Sequence, residues 1–437
     1  MRPSTTPFLR RALLACVVCA MPAAFAADAP SPAPEPITVV KAGRLIDVAA
    51  GRVRNDQVIV IQGGKIIAVG GAGTTAIPAG AAVVDLSGKT VLPGLIDTHT
   101  HMTSDPAMPP YHEYGVSVPR EALMGARFAR ETLLSGVTTI RNVGAAGYAD
   151  VALRDAINDG DVIGPRMLVS GPSIGITGGH CDNNMLAPEF NERSDGVADG
   201  VDEVRAMVRR NVKYGVDVIK YCGTGGVFSK GTRVGAQQYT PEEVAALVDE
   251  AHMHGRRVAV HAHGANGIKV ALKAGVDTIE HASLIDQEGL ELAKKNGAYL
   301  SMDIYNTEYT QTEGPKRGEL EEFLRKDREV AQAQRDNFRK AVQMGIKLTM
   351  GTDTGVHRHQ DAPKQLAYMV QYGMTPMQAL QAATKVGAEA LGIETEVGQI
   401  APGYSADLIA VTTDPLQDIH AMDAVEFVMR QGVVYRQ

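Results

Sequence analysis

The sequence predicts an α/β protein, a (β/α)8 TIM barrel with a small β-sandwich domain formed by both ends of the mature chain. The middle of the chain alternates short apolar runs with helical segments, which is the pattern of parallel βαβ units. Both ends carry short apolar runs separated by glycine-containing turns, which is typical of antiparallel strands. The 46 glycines among 437 residues fit the many tight turns that such a fold needs.

The chain is predicted to begin with an export signal. Basic residues precede an apolar run, Ala12–Ala20, and Ala24-Phe25-Ala26 supplies small residues for cleavage. The run is too short to span a bilayer, so we expect no stable membrane insertion after cleavage and a periplasmic or secreted protein. The predicted boundaries are 1–26 for the signal peptide, 27–36 for the linker, 37–90 and 394–437 for the sandwich, and 91–393 for the barrel.

Composition narrows the class of protein. With 44% apolar and 21% charged residues, the chain has the material for a large soluble core, and disordered and fibrous classes are excluded. Because no cluster of Lys and Arg is interleaved with aromatic residues, nucleic acid is not expected as a partner. Cys181 and Cys222 are the cysteines that follow the signal; we expect them near the pocket mouth, and an oxidising compartment permits a disulfide between them. A homo-oligomer is left open.

Eight candidate strands alternate with helices in the middle of the chain. The helix after the fourth strand begins at Thr240, a capping residue followed by a proline. The charged stretch Lys316–Lys340 predicts a long solvated helix. Barrel enzymes place their chemistry at the carboxyl ends of their strands, so functional residues are expected there. The strands are predicted near Leu92–His101, Thr138–Val143, Arg166–Ser170, Val216–Tyr221, Arg257–His263, Thr278–His281, Ala298–Met302 and Lys347–Asp353.

Two histidines end the first of these strands. His99 and His101 are two residues apart, so their imidazoles point to the same side and can bind one metal ion. With the preceding Leu92–Asp97, they complete the pattern Pro-Gly-Leu-Ile-Asp-x-His-x-His. This pattern resembles the opening signature of the amidohydrolase superfamily. The segments Ile176–His180, Ile219–Gly226 and His261–His281 resemble its prolidase-like branch, which includes imidazolonepropionase-like proteins, Xaa-Pro and Xaa-Arg dipeptidases and an ochratoxin-hydrolysing amidase.

The resemblance implies a centre of two divalent metal ions, expected to be Zn2+, at the strand ends. In this superfamily a lysine at the end of strand four reacts with CO2 to give a carbamate that bridges the two metals. The resemblance makes Lys220 the candidate for this role. A lysine at the end of an apolar strand is costly to bury without a partner, which favours metal ligation or an ion pair over a surface lysine. His261 is preferred to His263 as a ligand, because the dipeptidase-like members keep the first histidine and vary the second. The implied ligands are His99, His101, Lys220, His261, His281 and Asp353.

The same resemblance assigns roles in catalysis and substrate binding. The metals lower the pKa of a water, and Asp353 is predicted to accept its proton and pass it to the leaving nitrogen. His180, on a glycine-rich loop, is predicted to stabilise the oxyanion, with a surface-loop histidine as the alternative. Tyr221 is a predicted carboxylate contact, with a core tyrosine as the alternative. The predicted substrate contacts are Tyr221, His263, His180, Arg233 and Arg358.

The predicted function is hydrolysis of peptide-like amide bonds. A dipeptidase or carboxypeptidase would release a C-terminal amino acid from dipeptides or N-acyl amino acids, with ochratoxin-type amides as further substrates. Two alternatives stay open: a cyclic-amide hydrolase of the imidazolonepropionase type, and a non-catalytic zinc-binding barrel.

Overall fold

The structure is a computed structural model that describes residues 35–437. The predicted signal peptide, 1–26, and nearly all of the predicted linker, 27–36, lie outside the described residues. The described strands are β1 (Ile37–Asp47), β2 (Arg52–Gln62), β3 (Lys65–Gly71), β4 (Ala82–Pro93), β5 (Leu95–Thr100), β6 (Val137–Asn142), β7 (Arg166–Val169), β8 (Val218–Cys222), β9 (Arg257–Gly264), β10 (Thr278–Leu284), β11 (Tyr299–Ser301), β12 (Leu348–Thr349), β13 (Leu408–Val411), β14 (Phe427–Arg430) and β15 (Val433–Arg436).

Both ends of the described chain contribute strands to one sheet. Its order is β15-β14-β13-β4-β1-β2-β3, so C-terminal strands continue a sheet that N-terminal strands begin. The junction is the antiparallel pairing of β13 with β4, which places Leu408 opposite Pro93. Apolar residues from both ends, Val40 and Phe427 among them, share one buried cluster. The sheet supports the predicted small β unit; the sandwich form of that unit stays a prediction.

The middle of the chain forms parallel strands that alternate with helices. One sheet has the order β5-β6-β7 and the other β12-β11-β10-β9-β8, and every pairing in them is parallel. Each of the eight predicted strands coincides with one of these. Between the two sheets the described residues form isolated bridges, Thr100 with Thr354 and Ile174 with Tyr221, rather than a continuous ladder. The fold is therefore TIM-barrel-like; full closure of the barrel stays a prediction.

Burial explains why the sequences of these strands are nearly continuous apolar runs. Every residue of β5, β6 and β8 is buried, because side chains on one face pack against helices and those on the other face fill the interior. A polar residue in such a strand has no access to solvent and needs a partner inside the protein. The polar residues at the ends of these strands are therefore the candidates for a functional site.

The helices surround the parallel strands. They are α1 (Val118–Leu134), α2 (Ala149–Asn158), α3 (Gly200–Lys213), α4 (Pro241–Met253), α5 (Ala265–Ala274), α6 (Gln287–Asn296), α7 (Asn306–Glu313), α8 (Glu321–Met344), α9 (Gln365–Gln371), α10 (Pro376–Ala382) and α11 (Lys385–Leu391). The predicted start of α4 is confirmed, since the Thr240 side chain accepts from the backbone of Glu243 in a capping box. Within residues 35–437, no helix has the length and hydrophobicity needed to cross a membrane.

The long charged helix differs from its prediction in two respects. It spans Glu321–Met344 rather than Lys316–Lys340, and it stops at Gly345, which has a left-handed backbone conformation with φ 65°. One of its faces is buried and carries polar residues, including Lys326 and Gln334. The prediction of a purely solvated helix was wrong for this face, because these side chains reach loops that surround the functional site.

Candidate metal centre

Histidines and carboxylates converge at the carboxyl ends of the parallel strands. Ligand atoms of His99, His281 and Asp353 all lie within 4.8 Å of one another, and so do those of His261, His263 and His281. All five residues are buried. Because His281 belongs to both groups, they form one continuous cluster of possible metal ligands.

The first group is centred on a carboxylate oxygen. Oδ1 of Asp353 lies 3.3 Å from Nε2 of His99 and 3.3 Å from Nε2 of His101. Nε2 of His99 and Nε2 of His261 are buried and have no hydrogen-bond partner. Unpartnered buried nitrogens are rare in proteins, and imidazole nitrogens beside a carboxylate suit a divalent metal ion. The residues present therefore fit the metal that the sequence predicts.

Lys220 lies within the same buried region. It is only 2% exposed, and no carboxylate among residues 35–437 forms an ion pair with its amine. Burial lowers the pKa of Lys220 to about 8, although the carboxylates of Glu280 and Asp353 oppose the shift. A substantial fraction of this lysine is therefore a neutral amine near pH 8.

Two of the clustered histidines are held by buried carboxylates. Nδ1 of His99 lies 2.9 Å from Oε2 of Glu280, and Nδ1 of His281 lies 2.9 Å from Oδ1 of Asp303. Burial alone would raise the pKa of Glu280, but the guanidinium of Arg141 and His99 hold it well below its usual range. A carboxylate on Nδ1 orients the ring and leaves Nε2 free for a metal, as in many zinc sites.

The sequence prediction missed these supporting residues. Glu280 has a signal that could have identified it: it is a carboxylate in a buried strand and directly precedes the predicted ligand His281. Asp303 and Asn306 have no such signal. The amide of Asn306 donates to Oδ2 of Asp303 and to Oδ2 of Asp353, at 2.9 and 2.8 Å. Asn306 thus joins the two groups of ligands.

The backbone at two of the predicted ligands is strained. His281 has φ 67° and Asp353 has φ 60°, a left-handed conformation that favours glycine. Such strain persists only where the surroundings enforce it, and it clusters at functional sites. Asp97 provides part of that enforcement, since its carboxylate accepts from the backbone of His99 and from the backbone and hydroxyl of Thr352.

His180 lies directly beside the cluster. Its ring stacks on that of His261, with centroids 3.9 Å apart, and its Nδ1 lies 2.9 Å from the hydroxyl of Ser229. Burial, followed by nearby cationic groups, lowers the pKa of His180 to about 3, so the ring is neutral. Gly226 closes over both rings: a Cβ there would lie 2.4 Å from Cε1 of His180 and 2.7 Å from Nε2 of His261. A side chain at this position would displace the histidines.

A disulfide fixes the loop that carries His180. Cys181 and Cys222 are bonded, with their Cα atoms 5.9 Å apart. Cys181 follows His180, and Cys222 is two residues from Lys220 on β8. The bond therefore ties the His180 loop to the strand of the predicted bridging lysine.

The structure does not single out His261 over His263 by position. The ring of His263 stacks on that of His281, with centroids 4.7 Å apart, and its Nδ1 lies 2.8 Å from the hydroxyl of Ser283. A hydroxyl can donate or accept, so unlike a carboxylate it leaves the tautomer of His263 open. The choice of His261 as the ligand stays a prediction.

The other predicted substrate contacts lie in different surroundings. Tyr221 is fully buried in the main hydrophobic core beside Tyr239, and its hydroxyl has no partner, which matches the alternative of a core tyrosine. Arg233 is exposed on the loop after β8. Arg358 lines a cavity of about 470 Å³ that Tyr305 also lines. None of the clustered histidines lines this cavity, so the role of Arg358 as a substrate contact stays a prediction.

Similarity to known proteins accords with this geometry. The model of the amidohydrolase family matches residues 90–435. Ochratoxinase of Aspergillus niger is 33% identical over 427 residues, which cover 92% of this chain and 87% of that protein. The chain belongs to the amidohydrolase family. Imidazolonepropionase of Brevibacillus brevis, another relative, is 24% identical over 81% of this chain and 82% of its own.

Solved structures of amidohydrolases share this fold. A Xaa-Pro dipeptidase with methionine bound in its active site has a TM-score of 0.86 and 38% identity, over 92% of this chain and 100% of that chain. The crystal structure of A. niger ochratoxinase has a TM-score of 0.81 and 29% identity, over 92% of this chain and 96% of that one. The protein is therefore a hydrolase that acts on amide bonds, and the non-catalytic alternative is set aside.

Proposed function

We propose that this amidohydrolase is a binuclear-metal dipeptidase or carboxypeptidase that releases a C-terminal amino acid from dipeptides or N-acyl amino acids. The convergence of His99, His281 and Asp353, with their ligand atoms within 4.8 Å, is the observation that carries the proposal. Similarity to a Xaa-Pro dipeptidase and to ochratoxinase supports a substrate with an amino acid on the amide nitrogen. Ochratoxin-type amides fall within the same class.

In this proposal two Zn2+ ions share the cluster. His99, His101 and Asp353 would hold one ion, and His261 and His281 would hold the other. The lowered pKa of Lys220 supports its reaction with CO2, because only the neutral amine attacks CO2. The resulting carbamate would add an anionic ligand to the site. The unpartnered Nε2 atoms of His99 and His261 support these assignments.

The bound ions would supply Lewis acidity to the scissile carbonyl and an acidified water. The chain itself supplies the proton path. Asn306 donates a hydrogen bond to Oδ2 of Asp353, while Oδ1 lies between His99 and His101. Asp353 is the group that accepts the water proton and transfers it to the leaving nitrogen. Asn306 keeps the carboxylate in one orientation for both steps.

The site and the chain ends support two wider proposals. The bridges that flank the parallel sheets support one closed (β/α)8 barrel, with the seven-stranded sheet as its accompanying β domain. The disulfide Cys181–Cys222 supports export to the periplasm or the medium, because structural disulfides persist in oxidising compartments.

The test is turnover by purified, zinc-loaded protein against a library of dipeptides, N-acyl amino acids and cyclic amides. We expect release of free C-terminal amino acids, with no release by Lys220→Ala under the same conditions. Turnover of imidazolone-type cyclic amides alone would overturn the dipeptidase proposal. Equal activity of Lys220→Ala would overturn the binuclear one.

A further inference from the structure

A buried ion pair lies beneath the first group of ligands. Arg141 on β6 and Glu280 on β10 are 1% and 0% exposed, and Nη2 of Arg141 lies 2.7 Å from Oε1 of Glu280. Arg141 also donates to the carbonyl of Thr98 and to the hydroxyl of Thr278, at 2.6 and 3.0 Å. The pair therefore connects three strands, β5, β6 and β10, below the carboxyl ends that carry the metal site.

The second oxygen of Glu280 faces His99. Oε2 lies 2.9 Å from Nδ1 of His99, and a carboxylate whose other oxygen accepts from a guanidinium is placed to accept here as well. When the ring is neutral, Nδ1 then carries its proton and Nε2 carries a lone pair. That nitrogen is the buried, unpartnered atom 3.3 Å from Asp353. The contact with Glu280 thus leaves His99 in the only neutral tautomer that binds a metal through Nε2.

We propose that Arg141 and Glu280 are positioning residues that fix the tautomer and orientation of His99 for one metal ion. The inference rests on the proposed function only in assuming that His99 binds an ion. Arg141 acts through Glu280, whose Oε1 it holds in place, and Glu280 acts through His99. Neither residue contacts the substrate.

The energetic cost of burying this ion pair indicates that it does more than stabilise the fold. Burying an Arg and a Glu has a large desolvation penalty, and replacing such a pair with apolar residues of similar volume is often neutral or stabilising. An apolar pair would fill this interior but give up the contact with His99 and the hydrogen bonds of Arg141 to Thr98 and Thr278. A positioning role explains why the pair contacts His99 at the strand end that carries the proposed metal site.

Asp303 offers the matched comparison. Its Oδ1 lies 2.9 Å from Nδ1 of His281, the same distance as in the Glu280–His99 pair, but its supporting groups are the amides of Gln334 and Asn306. Asp303 thus supports His281, which belongs to both groups of ligands and which the proposed function assigns to the other ion. If each carboxylate positions its own histidine, substitutions at Glu280 and Asp303 should weaken different ions.

Two substitutions at the ion pair separate positioning from structure. In Glu280→Gln, the amide oxygen can still accept from Arg141, but the NH2 group then faces His99 and forces Nδ1 to accept. The ring proton moves to Nε2 and blocks the metal. In the double variant Arg141→Met/Glu280→Leu, no group blocks Nε2, so His99 samples both neutral tautomers.

The experiment titrates metal-free wild type, Glu280→Gln, Arg141→Met/Glu280→Leu and Asp303→Asn with Zn2+ against a chromophoric chelator, and records thermal unfolding of each metal-free protein. We expect Glu280→Gln to lower the affinity for one of the two ions by roughly 10- to 100-fold. The double variant should lower the affinity for the same ion by less, and it should unfold at or above the unfolding temperature of Glu280→Gln. Asp303→Asn should weaken the other ion.

A purely structural pair predicts that metal affinity falls in proportion to stability in every variant, so that a double variant as stable as the wild type would bind both ions like the wild type. Any of three outcomes would overturn the proposal: that result, unfolding of both variants, or wild-type affinity for both ions in Glu280→Gln. Because the readouts are metal affinity and unfolding, wild-type protein that binds two ions but cleaves no dipeptide would contradict the proposed function and leave the positioning role supported.

Discussion

The two groups of ligands at the strand ends are built differently. The first, around His99 and Asp353, contains a carboxylate ligand and is supported from below by the Arg141–Glu280 pair. The second is a stack of imidazoles, His261, His263 and His281. The first group thus has the mixed carboxylate and imidazole donors of a cation site, whereas the second combines imidazole donors with a histidine that contacts a hydroxyl.

Lys220 is where the two groups would meet, so its removal has the largest expected effect. Lys220→Ala should retain at most one tightly bound ion, and amide hydrolysis should fall to near the background of the assay. Added propionate should restore part of the activity, because its carboxylate can replace the carbamate. Metal content and turnover of the variant are measured beside Lys213→Ala, which removes an exposed lysine of α3. Two ions per chain in Lys220→Ala would show that the groups are independent.

Asp353 distinguishes the first group chemically, since it is the carboxylate assigned to proton transfer. Asp353→Asn keeps the shape and an oxygen for the ion, but its amide cannot accept a proton. With both ions present, kcat should fall by roughly 10²- to 10⁴-fold, while KM changes less. The measurement is steady-state kinetics with metal content verified. A kcat near the wild-type value from pH 6 to pH 9 would move the proton transfer to another residue.

The second group is tested by a matched pair of histidine substitutions. His261→Asn should lose one ion, because the buried Nε2 of His261 is assigned to the metal. His263→Asn should keep both ions and raise KM by roughly 3- to 10-fold, the scale of one lost hydrogen bond to the substrate. Metal content and KM are measured for both. The reverse pattern would make His263 the ligand.

The smallest catalytic effect is expected at the disulfide, which lies beside the second group. Loss of a cross-link that closes a separation of 41 residues should lower the free energy of unfolding by at most about 4 kcal/mol. Cys181→Ser/Cys222→Ser should therefore unfold at lower urea concentration in the metal-free state, while metal content stays at two ions. An unchanged urea midpoint would indicate that the bond does not contribute in solution.

The parts of the site that the sequence predicts are those that follow from strand ends. His99, Lys220 and Asp353 each end an apolar run, and parallel strands bring such ends to one edge, so their proximity needs no knowledge of side-chain packing. The same reasoning predicts all eight parallel strands, because fully buried strands have continuous apolar sequences.

The supporting residues follow from contacts between distant segments, which a single sequence does not encode locally. Arg141 and Glu280 are separated by 139 residues, and Asn306 and Asp353 by 47. Ser229 holds His180 from a loop whose path no periodicity predicts. Tyr221 remains undecided between a substrate contact and a core tyrosine, because its side chain is buried while its hydroxyl has no hydrogen-bond partner among the described residues.

We infer that the two groups of ligands hold two ions with distinct partners. Anomalous diffraction at the zinc edge from crystals of the zinc-loaded protein would locate both ions. We expect two peaks per chain, one bounded by His99, His101 and Asp353 and the other by His261 and His281, with carbamate density on Lys220 between them. A single peak, or a peak held by His261, His263 and His281 with unmodified Lys220, would contradict it.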